Sequence, residues 1–317
     1  MNNTLWSDAE LTDLADALKK YPACSLQYIA EQIAPRFPLR TMDGLRINLG
    51  RLRAGQRDFP DPEAEGYITR WTDYPRVSGN TMVAGDLQLP FYHVGMTEKL
   101  LDVAERFGVK QLALGGDVFD LPYWSRFDIT RAQQKMSWDE DKKFGKRVFQ
   151  KLCEQFDHIY IVADNHTRRF LRKLDFKTSI AGFYGDVVGE LLAEKVVASD
   201  YPICEINSTW LVVHPSAYRQ LKLSLASDLA MKFGRNVINF HGHLAAVGFA
   251  KYGFGAIPPI IADGACLTDP QLHEYTSLAI TPHPQWNSGF YMIRNNWIYP
   301  FWDAPTFDWD FWLKGGP

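Results

Sequence analysis

Cysteine is scarce: four in 317 residues (Cys24, Cys153, Cys204 and Cys266), with no CxxC pair. That excludes a zinc ribbon or a small disulfide scaffold and fits a reducing compartment. Long apolar runs are missing. None approaches the roughly 20 residues of a membrane span, so no membrane partner is expected. The opening MNNTLWSDAEL has neither a basic start nor an apolar centre. No signal peptide is expected there, and a cytoplasmic location is. There is no excess of positive charge. Lys and Arg number 34 against 37 Asp and Glu, a formal net charge of −3, so any nucleic-acid surface is a local patch. No internal repeat or low-complexity tract appears. What is there is globular in character: 46% hydrophobic and 22% charged residues exclude disorder, collagen and coiled coil. The length suits one large domain, or a large one with a small one.

Residues 1–57 hold three helix-like stretches and no strand pattern. Ser7 can cap a helix that carries Leu11, Leu14 and Leu18 at helical spacing, with Glu10 placed for a capping box. Pro22 ends it. Residues 25–33 give a second stretch, closed by Pro35. Thr41 starts a third with Leu45, Leu49 and Leu52 on its apolar face, against which Gly44 and Gly50 count. Residues 58–78 are rich in Pro, Gly and acid and read as a linker. The domain reading is therefore an all-α module over 1–57, a linker over 58–78, and a larger domain over 79–317.

In that larger domain short apolar runs alternate with amphipathic stretches. Strands are expected at 81–84, 111–114, 159–162, 210–213 and 237–240, and helices at 97–107, 138–156 and 218–233. Runs at 290–294 and 297–301 flank Asn295-Asn296 as a hairpin. The pattern is α/β, sheets flanked by helices.

Residues of ligand type follow each of the five strands: Gly85-Asp86-Leu87-Gln88, Gly116-Asp117-Val118-Phe119-Asp120, Asp164-Asn165-His166, His214, and His241-Gly242-His243. Ligands of α/β sheets bind beyond the carboxyl ends of strands. An Asp after a strand is ordinarily a turn or cap residue. Five such loops together form an oxygen- and nitrogen-rich set without thiolate, suited to Mn²⁺ first, with Fe or Zn²⁺ as alternatives.

The series GD, GDxxD, NH, lone His and GH resembles the calcineurin-like metallophosphoesterases, in particular a branch common in bacteriophage genomes. There the first motif runs on as in Asp86 to His93 (DLQLPFYH). The second continues toward Ser125-Arg126-Phe127, and the third into Arg168-Arg169. Gly264 to Pro270 and Trp286 to Phe290 are also similar, and the likeness covers roughly residues 80–305. The resemblance implies a four-layer β-sandwich flanked by helices. It also implies a hydrolase with one or two divalent ions per chain, in which a metal-bound hydroxide attacks phosphorus. By it, Asp117 bridges two metals. Asn165, His214 and His243 complete one metal's ligands, and Asp86 serves the other. His166 is the catalytic imidazole, and Asp120 orients it by hydrogen bonding.

The chain departs from that pattern three times. Gln88 stands where the family has His. Ala245 stands where Gly-His-x-His has its second His. Asp164 stands where the third motif has Gly. Four alternatives restore donors: His241 and His243 as the His-x-His pair, Gln88 through its amide oxygen, His93, or the Asp164 carboxylate. The expected function is a phosphodiesterase or nuclease acting on nucleic acid. The alternative is a degraded scaffold that binds DNA or protein without cutting.

Trp6-Ser-Asp-Ala-Glu10-Leu is similar to the start of a Myb/SANT three-helix module. With Arg40, Arg46, Arg51, Arg53 and Arg57 around its third helix, the likeness implies a DNA partner bound through phosphates. A solvated basic helix or a protein-docking module are the alternatives. Arg168 and Arg169, with Arg172, Lys173 and Lys177, either bind substrate phosphates or form a solvated face. The aromatic tail (Trp297, Tyr299, Phe301, Trp302, Trp309, Trp312) is either a packed clasp or a base-stacking platform.

Overall fold

Two units divide the chain, Met1–Arg70 and Trp71–Pro317, so the boundary falls inside the stretch read as a linker. The computed structural model describes residues 6–53, 74–125, 133–217, 219–251, 257–273 and 286–315. Arg57, Arg126, Phe127, Tyr218 and linker residues 58–73 lie outside them.

The first unit contains helices α1 (Asp8–Lys20), α2 (Leu26–Ile33) and α3 (Met42–Arg53). The capping box forms as the residue pattern requires: Ser7 Oγ accepts from Glu10 N, and Glu10 reaches back to Ser7 N. Leu14, Ile29, Ile33, Leu45 and Leu49 make its core.

The second unit is mixed α/β with two six-stranded mixed sheets. One has the order β12-β11-β2-β3-β4-β5, the other β1-β6-β7-β8-β10-β9. The first sheet uses β2 (Thr81–Ala84), β3 (Gln111–Leu114), β4 (His158–Ile161), β5 (Val196–Ala198), β11 (Gly289–Arg294) and β12 (Trp297–Trp302). The second uses β1 (Arg76–Val77), β6 (Ile203–Ile206), β7 (Trp210–Val213), β8 (Asn236–Asn239), β9 (Ala246–Phe249) and β10 (Ile260–Asp263). Arg76 and Val77, expected in the linker, pair in parallel with Glu205 and Ile206.

Alternation places the layers. Met82, Ala84, Leu112, Leu114, Ile159 and Ile161 point to one core, shared with α4 (Val94–Arg106), α5 (Trp138–Gln155) and α7 (Ile180–Val188). Their neighbours Val83, Ala113 and Tyr160 point to another, shared with Ile206, Trp210, Val212 and Ile238 of the second sheet. Covered on both faces, these strands read as continuous apolar runs. Beyond the second sheet, Leu211, Val213, Val237 and Ile261 pack on Ala226 and Ala230 of α9 (Ser224–Phe233).

Most boundaries fall within a residue of the sequence reading; two helix starts differ by more, and a helix not among those expected sits on the third motif. Helix α4 starts at Val94 because His93 Nδ1 accepts from Met96 N, and α9 starts at Ser224 after Leu223 in the left-handed region. Helix α6 (Asn165–Lys173) starts on the third motif, where Asp164 caps it. The aromatic tail is a clasp: Phe301 stacks on Phe290 at 5.0 Å and meets Trp312 at 5.0 Å. No helix among the described residues is long and apolar enough to cross a membrane.

Candidate metal centre

Strands β2, β3 and β4 are mutually parallel, as are β7 and β8. Each of these two groups releases its motif loops at one end. The loops after β2 and β3 are laced together: Asp86 N donates to Gly116 O, Gln88 N to Asp117 O, and Leu89 N to Val118 O. Beneath them the buried ring of Phe240 sits against Gly85, Gly115 and Gly264, where any Cβ would lie within 2.5 Å of it. That cradle lets strand ends from both sheets approach closely. Five residues here hold positive φ: Asp86 (50°), Gln88 (49°), Asp117 (46°), His241 (78°) and His243 (55°). Such backbone costs roughly 1–3 kcal/mol per residue and persists where the surroundings fix it.

Asp117 is the hub. Its Oδ2 lies 3.4 Å from His214 Nε2 and 3.7 Å from both His241 Nδ1 and His166 Nε2. Donor atoms of Asp117, His214 and His241 all lie within 4.8 Å of one another. His214 Nδ1 donates to Gly115 O at 2.7 Å, which turns Nε2 inward. The Asn165 amide end lies 2.8 Å from His214 Nε2. The atom at that distance is Oδ1, so the amide oxygen faces the centre, and Arg169 Nε donates to the Asn165 backbone carbonyl at 3.3 Å. His166 Nδ1 donates to the Asp120 carbonyl at 2.5 Å, leaving Nε2 toward Asp117. Asp120 thus orients His166 through its backbone, its carboxylate standing 3.7 Å away.

His243 is elsewhere. Its Nε2 is 3.8 Å from Asp86 Oδ1 and 3.4 Å from Gln88 Nε2, and its ring meets Trp286 edge-on at 4.0 Å. The geometry therefore corrects one assignment: His241, and not His243, stands with Asp117, Asn165 and His214. His241 and His243 face the two sides of the centre, as a His-x-His pair would. Ala245 falls outside that pair, its N donating to Asn287 Oδ1. Two restoring alternatives fail. His93 is engaged by Met96 N and, at 3.3 Å, by Asp303. Asp164 gives both oxygens to Thr167. Arg169 borders the centre, whereas Arg168 is exposed and donates to Asp200 O.

No protein-family model matches the chain, and no curated protein matches it.

Burial opposes ionisation of Asp117, but His166 and His214 outweigh it and hold the carboxyl well below its usual range. Burial likewise disfavours charge on His214, yet Asp117, then Asp86 and Asp164, raise it to about 10. Burial, aided by the Asp117 charge, lifts Asp86 well above the carboxylate range and Asp120 to about 7. Burial lowers His166 to about 4 and His243 to about 3. Neutral imidazole is the form that ligates metal, so His243 is ready to bind whereas His214 would give up a proton to a bound cation.

The donor set fits a divalent cation. Separations of 3.4 and 3.7 Å suit neighbours around one small ion with bonds of about 2.0–2.2 Å. Asp86 Oδ1, Gln88 Oε1 and His243 Nδ1 are buried without a hydrogen-bond partner. No sulfur donor is among these residues, which favours Mn²⁺, Fe or Zn²⁺ over softer ions.

Proposed function

We propose that the chain is a metal-dependent phosphoesterase of the calcineurin-like type, with a four-layer architecture, acting on phosphodiesters of nucleic acid. The observation that carries this reading is the Asp117 carboxylate at the meeting point of His166, His214 and His241. Asp117, Asn165, His214 and His241 would hold one cation, and Asp86, Gln88, Asp117 and His243 a second. Bound there, divalent ions supply positive charge for phosphoryl oxygens and acidify water.

The chain's own residues do the rest. The bond from His166 Nδ1 to Asp120 O fixes the ring and aims Nε2 into the centre. An anionic phosphoryl group beside the ring opposes the burial that keeps it neutral, so substrate favours the protonated form. That ring then donates at Nε2 to a phosphoryl or leaving oxygen. The Arg169 guanidinium adds anion attraction from the rim. In the first unit, exposed Arg51 and Arg53 on α3 are the cations proposed to meet DNA phosphates. Arg40 is not among them: it binds Glu10 through two nitrogens at 2.8 and 2.7 Å and stacks on Trp6.

The test is His166→Ala, read by hydrolysis of bis(p-nitrophenyl) phosphate and by elemental analysis. Turnover is expected to fall about 10²–10⁴-fold with metal content unchanged. An unchanged rate removes His166 from the chemistry. Gln88 favours the second reading, a scaffold that binds without cutting. Wild-type protein that retains metal and hydrolyses no diester would support it.

A further inference from the structure

The donors on the two sides of Asp117 differ in kind. One side offers two imidazoles, His214 and His241, with the Asn165 amide. The other offers the Asp86 carboxylate, the Gln88 amide and a single imidazole, His243. Asp86, Gln88 and His243 are 0%, 3% and 4% exposed, and each carries a buried polar atom with no hydrogen-bond partner. Leaving such an atom unmet costs roughly 1–3 kcal/mol. The three side chains meet at His243 Nε2, with Asp86 Oδ1 at 3.8 Å and Gln88 Nε2 at 3.4 Å from it. All three residues also hold positive φ. If Gln88 merely filled space, its carbonyl oxygen would have a donor; it has none. A half-turn of the amide exchanges oxygen for nitrogen at the same place, which sets Oε1 where Nε2 now lies, 3.4 Å from His243 Nε2.

Resting on the metal-centre reading above, we propose that Gln88 is an oxygen ligand and that the centre holds two different metals. The Asp117–Asn165–His214–His241 side takes Zn²⁺ or Fe²⁺, which imidazole suits. The Asp86–Gln88–His243 side takes Mn²⁺, which carboxylate and carbonyl oxygen suit.

The full chain, stripped with chelator, is titrated with Zn²⁺ and then with Mn²⁺. Ions are counted by elemental analysis after gel filtration, and Mn²⁺ is followed by electron paramagnetic resonance. One Zn²⁺ is expected to be retained, then one Mn²⁺ with the spectrum of an isolated ion beside a diamagnetic neighbour. Gln88→Ala is expected to keep the Zn²⁺ and weaken Mn²⁺ by more than the roughly 10–100-fold that loss of an outer partner costs. Gln88→Glu, close in shape and still an oxygen donor, retains Mn²⁺ and guards against misfolding of the alanine variant. Gln88→His is expected to admit a second Zn²⁺ in place of Mn²⁺. Two Zn²⁺ held equally by the wild type, or Mn²⁺ affinity unchanged in Gln88→Ala, overturns the inequality and leaves the metal centre standing. No ion retained on either side overturns the metal-centre reading as well.

Discussion

Gly116 positions His214 by having no side chain. It turns the chain at φ +90°, and a Cβ there would lie 2.7 Å from His214 Nδ1 and 2.8 Å from the Asp164 Cβ. Only glycine meets both demands. Gly116→Ala is expected to cost about 1–3 kcal/mol through backbone strain alone and to push His214 away from Asp117. Thermal melting reads the first effect and metal content the second. A variant that melts and binds metal like the wild type would show that this turn does not hold the histidine. The same scale explains what sequence spacing left open. His241 and His243 are separated by one glycine, and nothing in HGH says which ring joins Asp117. The decision comes from the backbone after β8, left-handed at both histidines, together with the Asp86 carboxylate that accepts from His241 N. The sequence did name Asp86, Asp117, Asn165, His166 and His214 as one cluster. It misplaced His243 and counted Ala245 as a lost ligand, because motif alignment carries no information on ring direction.

At the scale of elements, α1 shows how a local signal acquires a distant partner. Ser7 and Glu10 form the capping box the sequence predicts, but Glu10 also carries Arg40 from the turn before α3. Arg40, then the Ser7 N–H, hold the Glu10 carboxyl at about 2 against an ordinary 4.5. A depressed carboxyl stabilises the fold above its ordinary range, and that contribution is lost as pH falls from about 4.5 through about 2. Amide-exchange protection of α1 in the full chain is therefore expected to drop across that window. In Glu10→Gln protection is lower at neutral pH and its acid dependence is flatter, as hydrogen-exchange mass spectrometry would read. An identical acid profile would mean the pair contributes nothing. Elements with such local signals were legible: α1 to α3, β2, β3, β7, β8 and the β11–β12 hairpin. Strands β1, β5, β6, β9 and β10 and helix α7 were not. Strands β1 and β5 are only two and three residues long, and α7 (IAGFYGDVV) is interrupted by glycine. Strand β1 exists only because Arg76 and Val77 find Glu205 and Ile206, about 130 residues away, a pairing no local window contains.

For the whole molecule, the net charge of −3 makes long-range attraction to a polyanion unfavourable, so affinity for DNA has to come from placed cations. The proposed ligands all belong to the second unit, and the proposed phosphate contacts of the first unit belong to α3. On and beside that helix Arg46 is matched by Asp43 at 3.1 Å, and Arg40 by Glu10. Arg51 and Arg53 are left exposed, Arg53 also donating to Tyr21 O at 3.2 Å. Each cation that neutralises a phosphate of duplex DNA adds about 0.9 to the slope of log affinity against log salt. The double change Arg51→Gln and Arg53→Gln is therefore expected to lower that slope by about 2, on any duplex sequence alike, since phosphate contacts carry no base information. Fluorescence anisotropy of a labelled duplex between 50 and 200 mM salt, roughly the range where such contacts decide affinity, provides the slope. Metal content should not move, because neither arginine lies in the second unit. A slope equal to that of the wild type would take DNA binding away from α3 and leave the phosphates to the cations around Arg169.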